Sequence, residues 1–168
     1  MMTLQYLNTL TSQQLKEQLF NCCGSTKWAE QLLRKLPFNS IEELKYVSDK
    51  IWFECEKKDW LEAFTHHPKI GNVKSLEKKF ASTAQWASGE QVSINAASQN
   101  VLVELKELND LYENKFGYIF IVCATGKSAE EMLKLLKQRL PNNPEEEIKI
   151  AANEQNKITH LRIDKLFA

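Results

Sequence analysis

The only stretch of this chain that reads as a β-strand is Phe116-Gly117-Tyr118-Ile119-Phe120-Ile121-Val122-Cys123-Ala124, rich in aromatic and β-branched residues. A strand needs a partner, and no second run of this kind occurs in the 168 residues. The run is therefore a buried helix start or an extended crossover through the core. If extended, its backbone N–H and C=O groups have no sheet to pair with. A polar ligand, bound water or neighbouring side chains must then serve. Everything else has to be helical.

The capping signals agree. Thr11 with Gln14, Ser40 with Glu43, Asp59 with Glu62, Ser88 with Gln91 and Ser128 with Glu131 all have capping-box spacing. Helical periodicity follows each one: Leu15, Leu19 and Phe20 after the first; Leu44, Val47, Ile51 and Cys55 after the second. Gly24 is a helix stop, and a short helix from Ser25 presents Trp28, Leu32 and Leu33 before Leu36-Pro37 breaks it. Asn72 to Ala84 reads as basic and partly helical, with Leu76 and Phe80 inward. The long helix behind Ser88 reaches Tyr112 through Val101, Leu105 and Leu108, and the one behind Ser128 carries Leu133, Leu136 and Leu140. Asn143-Pro144 opens the last helix, with Ile148, Ala151, Ile158, Leu161 and Leu166 expected inward. His160 and Arg162, two apart on it, do not share a face. The expectation is one all-α domain over 1–168, of about eight helices, with an extended apolar segment near 117–124.

Lysine and arginine number 22 against 22 acidic residues, so no bulk field points to nucleic acid or an anionic membrane. No apolar run is long enough to span a bilayer, no signal peptide is visible, and cytoplasm is the expected location. Cys22, Cys23, Cys55 and Cys123 lack metal-type spacing and read as buried free thiols of a reducing compartment. Among the few arginines, Arg34, Arg139 and Arg162, a bidentate anion grip competes with the plainer reading of a salt bridge.

The densest chemical signal is Thr65-His66-His67-Pro68-Lys69-Ile70-Gly71. The proline disfavours helix for His67, so that imidazole projects from a fixed corner where a helix stops, a geometry suited to proton transfer near neutral pH. A plain turn uses the same residues. Glu90 in a helix's first turn is either a dipole complement or a catalytic carboxylate. Adjacent His66 and His67 point apart, and neither HxxxH nor an acidic cluster accompanies them, so no metal is expected. Gly126-Lys127-Ser128 is not a phosphate loop, because Ile121 stands where that loop needs glycine. No serine elbow and no dinucleotide loop occur. Two readings stay open: cofactor-free acid–base chemistry on a small polar substrate, or no chemistry.

His67-Pro68-Lys69-Ile70-Gly71, Glu90-Gln91, Phe116-Gly117-Tyr118 with its apolar run, and Ile158-Thr159-His160-Leu161-Arg162 resemble the OHCU decarboxylase family. So do Phe20-Asn21-Cys22-Cys23-Gly24-Ser25 with Trp28, Pro37-Phe38, Gly126 to Glu131 and Arg139-Leu140, in the family's order over nearly the whole chain. The resemblance implies an all-α fold, usually a homodimer, and no metal or organic cofactor. It implies conversion of 2-oxo-4-hydroxy-4-carboxy-5-ureidoimidazoline to (S)-allantoin and carbon dioxide in urate breakdown. By the same resemblance His67 is the proton donor, Pro68 its pocket neighbour, and Glu90 and Gln91 hold the substrate's ring and ureido groups. The backbone of Phe120, Ile121, Val122, Cys123 and Ala124 lines the pocket, and Arg162 lies near the substrate's anionic side. The family often has a serine three residues before the glutamate; this chain has Ala87 there and Ser88 one step later. The competing expectations are a non-catalytic helical module that binds a partner protein, and a related enzyme for another ureido or imidazole compound.

Overall fold

The structure, a computed structural model, describes residues 2–68, 73–76, 78 and 96–168. Among the described residues there are eight helices and no strand, so the protein is all-α: α1 Leu4–Leu7, α2 Ser12–Cys23, α3 Thr26–Leu33, α4 Ile41–Glu54, α5 Lys57–Thr65, α6 Ala96–Phe116, α7 Ala129–Arg139 and α8 Pro144–Phe167. Residues 73–76 are also helical, and Leu76 is buried. The short α1 carries too few residues for a periodic pattern and was not expected. No described helix is long and apolar enough to cross a membrane.

Most caps form as the sequence predicts. Thr11 and Gln14, and Ser128 and Glu131, make reciprocal capping boxes. Ser40 accepts from the Glu43 amide, but the Glu43 carboxylate reaches past it to the Asn39 amide at 2.7 Å. The fifth helix departs from expectation. It starts three residues earlier, with Glu56 as the capping residue and Asp59 reaching back to the Glu56 amide at 2.9 Å. Glu62 is thereby released to receive the Thr26 amide at 2.5 Å and the Thr26 hydroxyl at 3.0 Å. It serves the start of α3 instead of its own helix, a long-range use that spacing cannot reveal. The Ser88 to Gln91 cap lies outside the described residues.

The chain forms two compact units, Met1–His67 with Ile148–Ala168, and Pro68–Glu147. The first is built on Leu7, Leu15, Leu19, Trp28, Leu32, Leu44, Trp52, Phe64 and Ile163, all essentially inaccessible. Its buried indoles spend their N–H groups on backbone carbonyls: Trp28 Nε1 on Ser48 O at 3.2 Å, and Trp52 Nε1 on Ala152 O at 2.8 Å. The second bond fastens α4 to α8. The inward face of α8 keeps Ile148 and Ala151 as expected but turns away from Leu161 farther along, with Ile158 and Leu166 half-buried. Ile148, Ala151, Ala152, Gln155, Thr159 and Ile163 are buried, while Leu161, expected inward, is 36% exposed. Two polar side chains occupy the core stripe, so hydrophobic periodicity misplaced the face along that part of the helix.

In the second unit α6 and α7 pack together around Leu102, Leu105, Tyr112, Phe120, Met132 and Leu136. Gly117, at φ 82, ends α6 in the left-handed conformation that glycine adopts without strain, and its amide returns to Glu113 O at 2.8 Å. The apolar run beyond it is neither helix nor strand. Its backbone partners include side chains: Arg139 Nη1 donates to Ile121 O at 2.7 Å and Lys127 Nζ to Cys123 O at 2.9 Å. The Arg139 guanidinium also lies 4.5 Å from the Phe120 ring centroid. It is held in turn by Glu147, which is fully buried, through Nε to Oε1 at 2.7 Å. Tyr112 donates to the same carboxylate oxygen at 2.5 Å. Burial, reinforced by that hydrogen bond, holds the Tyr112 phenol far above its ordinary range, so it stays protonated.

Candidate active site

The histidine corner is made by the end of α5. The His66 amide donates to Ala63 O at 3.2 Å and the His67 amide to Phe64 O at 3.4 Å, after which Pro68 prevents another turn. His66 is exposed, and its ring meets Phe20 edge-on at 4.9 Å between centroids. His67 is half-buried, and its Nε2 hydrogen-bonds Gln155 Oε1 on α8.

The end of α2 buttresses this corner. Gly24 has φ +85, and a Cβ there would meet His66 Cβ at 3.1 Å. Glycine is thus needed twice, for the left-handed turn and for the close approach. Next to it, the Cys23 thiol contacts the Thr159 hydroxyl, and the Cys22 carbonyl accepts from Arg162 Nη1 at 3.4 Å. Residues 20–24 therefore touch His66, Thr159 and Arg162, each through a different atom. That is the physical content of the Phe20 to Ser25 motif.

On α8, Gln155, Thr159 and Arg162 follow one another at helical spacing and share a face. Gln155 Nε2 donates to Thr159 Oγ1 at 3.3 Å, and Thr159 Oγ1 donates to Gln155 O at 3.0 Å. His160 lies on another face, with Nε2 against Asp49 Oδ1 at 2.5 Å, and Asn156 Nδ2 also donates to that oxygen at 2.9 Å.

Burial pushes the Cys22 thiol up to about 11, against the opposing charge of Arg162. It pushes Cys23 up to about 12, against the Thr159 hydrogen bond. Cys55 is raised to about 11, again chiefly by burial. None of the four cysteines forms a disulfide, and these three are protonated structural thiols near neutral pH. Among the described residues no group of three His, Cys, Asp or Glu side chains is placed to hold a metal.

Of the residues expected of the site, the structure places His67 and Arg162 in the first unit, His67 against Gln155 and Arg162 two turns beyond Gln155 on α8. Pro68 follows His67 at the corner. Phe120 and Ile121 are buried, and Val122, Cys123 and Ala124 half-buried, within the second unit. Ala87, Ser88, Glu90 and Gln91 lie outside the described residues. Sequence reasoning passed over Gln155 and Thr159 as functional candidates. Their signal was present: two polar residues four apart among Ala151, Ala152 and Ile163 on one helix.

The family model for OHCU decarboxylase matches residues 8–164. The Arabidopsis thaliana "Uric acid degradation bifunctional protein TTL" is 44% identical over 148 residues, 88% of this chain and 45% of that protein. The "2-oxo-4-hydroxy-4-carboxy-5-ureidoimidazoline decarboxylase" of Haloferax volcanii is 23% identical over 168 residues, 99% of this chain and 97% of that one. A crystal structure described as OHCU decarboxylase in the presence of (S)-allantoin superposes with a TM-score of 0.72 at 44% identity, covering 90% of this chain and 97% of the other. The chain spans under half of the Arabidopsis relative and 32% of a Bacillus bifunctional relative that it matches.

Proposed function

The chain belongs to the OHCU decarboxylase family, and on that premise we propose that it converts 2-oxo-4-hydroxy-4-carboxy-5-ureidoimidazoline to (S)-allantoin and carbon dioxide, without a cofactor. The observation that carries this reading is the His67 imidazole, anchored on a buried amide at a rigid corner, with the Arg162 guanidinium two turns farther along the same helix face. Breaking the C–C bond to the carboxylate releases carbon dioxide, and the electron pair moves into the adjacent C=N unit to leave an enol between the hydroxyl-bearing and ureido-bearing carbons. A proton must then reach the ureido-bearing carbon from one side only, while the enol hydroxyl gives up its proton and becomes the carbonyl. His67 supplies it as a general acid, and its fixed position selects the face. Arg162 binds the substrate's anionic side with a planar fork.

In the same proposal Glu90 and Gln91 bind the ring and ureido groups, aided by Ala87, Ser88 and Pro68. Donors from Gln91 and from the backbone of Phe120 to Ala124 stabilise the developing charge. The protein works as one domain over 1–168, as a cytoplasmic homodimer, on a small molecule and not on nucleic acid or membrane.

Circular dichroism tests the reaction directly. The unstable substrate is generated in the cuvette from urate with purified upstream enzymes, the protein is added, and the allantoin signal is followed. Accelerated appearance of the S enantiomer is expected. Racemic product at the uncatalysed rate from folded protein refutes the proposal and leaves a partner-binding module or another ureido substrate.

A further inference from the structure

We propose that Gln155 is the positioning residue of this site: closed by Thr159, its amide oxygen keeps a proton on Nε2 of His67 and so fixes the ring's orientation for catalysis. The clause about catalysis rests on the reading of His67 as proton donor; the assignment of the Nε2 proton does not.

Gln155 is 0% and Thr159 1% exposed, in a helix stripe otherwise made of alanine and isoleucine. Polar side chains survive such burial only when their hydrogen bonds are made. The Thr159 hydroxyl has a single proton, and it goes to the Gln155 backbone carbonyl at 3.0 Å. Cys23, which faces Thr159 from α2, is kept a thiol by burial and is a weak acceptor, so it does not draw that proton away. Toward the amide, Thr159 Oγ1 can then only accept. It accepts from Gln155 Nε2 at 3.3 Å. The opposite amide orientation would have to take the hydroxyl's proton away from the nearer backbone carbonyl. Gln155 Oε1 therefore faces His67, and the ring nitrogen on it must donate. The proton on that contact is therefore carried by Nε2.

The choice of an amide also has a reason. A carboxylate in this place would orient the ring equally well but would stabilise the imidazolium and weaken it as an acid. A buried glutamine orients without adding charge. That suits a group whose task is to give a proton away.

The test uses the full chain. Nitrogen-15 NMR of the histidine rings, with His67 assigned by its loss in His67→Ala, reports the tautomer without substrate. The wild-type ring is expected as Nε2–H. Gln155→Met keeps the side-chain length but removes the acceptor; a mixed tautomer is expected, with kcat lowered about tenfold (about 1.4 kcal/mol on the barrier) and KM little changed. Gln155→Glu retains an acceptor and should keep the proton on Nε2 while favouring the imidazolium and lowering kcat, which keeps the assignment testable if the methionine variant does not fold. Thr159→Ser should behave as wild type, and Thr159→Val should loosen the tautomer. An Nδ1–H ring in the wild type, or a folded Gln155→Met protein with the wild-type tautomer and kcat, overturns the proposal. A wild-type protein that has the Nε2–H ring, loses it in Gln155→Met, yet never turns over substrate supports the assignment and refutes the decarboxylase reading instead.

Discussion

Arg139 and Arg162 put the same side chain to opposite uses. Arg139 is 6% exposed and has its donors spent: Nε on Glu147, Nη1 on the Ile121 carbonyl, Nη2 within 3.4 Å of the Tyr112 hydroxyl, and its face on Phe120. Arg162 is half-buried, with one long hydrogen bond to the Cys22 carbonyl and, among the described residues, no carboxylate in ion-pair range. A saturated guanidinium is a fastener, here for an apolar segment that has no sheet to pair with. A guanidinium with, among the described residues, one long bond has donors left for an anion, as the proposed function requires of Arg162. Satisfaction of donors, more than charge, is the test that separates a structural arginine from a substrate-binding one.

The contrast predicts which measurement each region moves. The largest effect is expected from His67→Ala: turnover falls by about 10²–10⁴, the usual worth of a positioned general acid, while the helical circular-dichroism spectrum is unchanged. Near-normal activity would remove His67 from the chemistry. In the other region, Glu147→Leu strands the buried Arg139 charge and should cost about 3–5 kcal/mol in urea unfolding. Replacing both partners, as Arg139→Met with Glu147→Leu, should recover much of that loss. Equal stability of the single and double variants would break the account of Arg139 as a fastener.

Arg162→Lys is expected to raise KM about tenfold with stability nearly unchanged, because lysine lacks the bidentate fork. A lowered unfolding midpoint with an unaltered KM would move Arg162 to the structural side of the comparison. The smallest effect is alkaline. Burial raises Cys22 to about 11 and Cys23 to about 12 from an ordinary 9.0, so the folded state disfavours the thiolate. Their contribution to stability is complete below pH 9 and drains away as the pH climbs through the raised values. The thermal midpoint should therefore fall between about pH 9 and pH 11, and less so in Cys22→Ala with Cys23→Ala.

Much of the fold was legible because its signals are local. A capping box needs three residues of spacing, a helical stop needs Gly24, and Pro68 alone shows where α5 must end. The histidine corner was legible for the same reason. What was misread depended on distant partners. Glu62 looked like a cap for its own helix and instead receives Thr26 from α3. Leu161 looked like core and is surface, because Gln155 and Thr159 hold the buried stripe. The lone apolar run was rightly expected to need partners outside a sheet, but the choice of Arg139 and Lys127 among the open possibilities was not in the pattern.

By itself, then, the sequence determined an all-helical chain, the places where its helices start and stop, and the rigid corner that carries His67. Those follow from backbone sterics and from hydrogen bonds that close within one turn. Only the tertiary structure decided that Gly24 lies under His66, that Gln155 faces His67, and that Arg139 has its donors spent while Arg162, among the described residues, reaches only the Cys22 carbonyl. Each of these depends on groups brought together across tens of residues, where burial makes every donor find an acceptor and no local rule names which one.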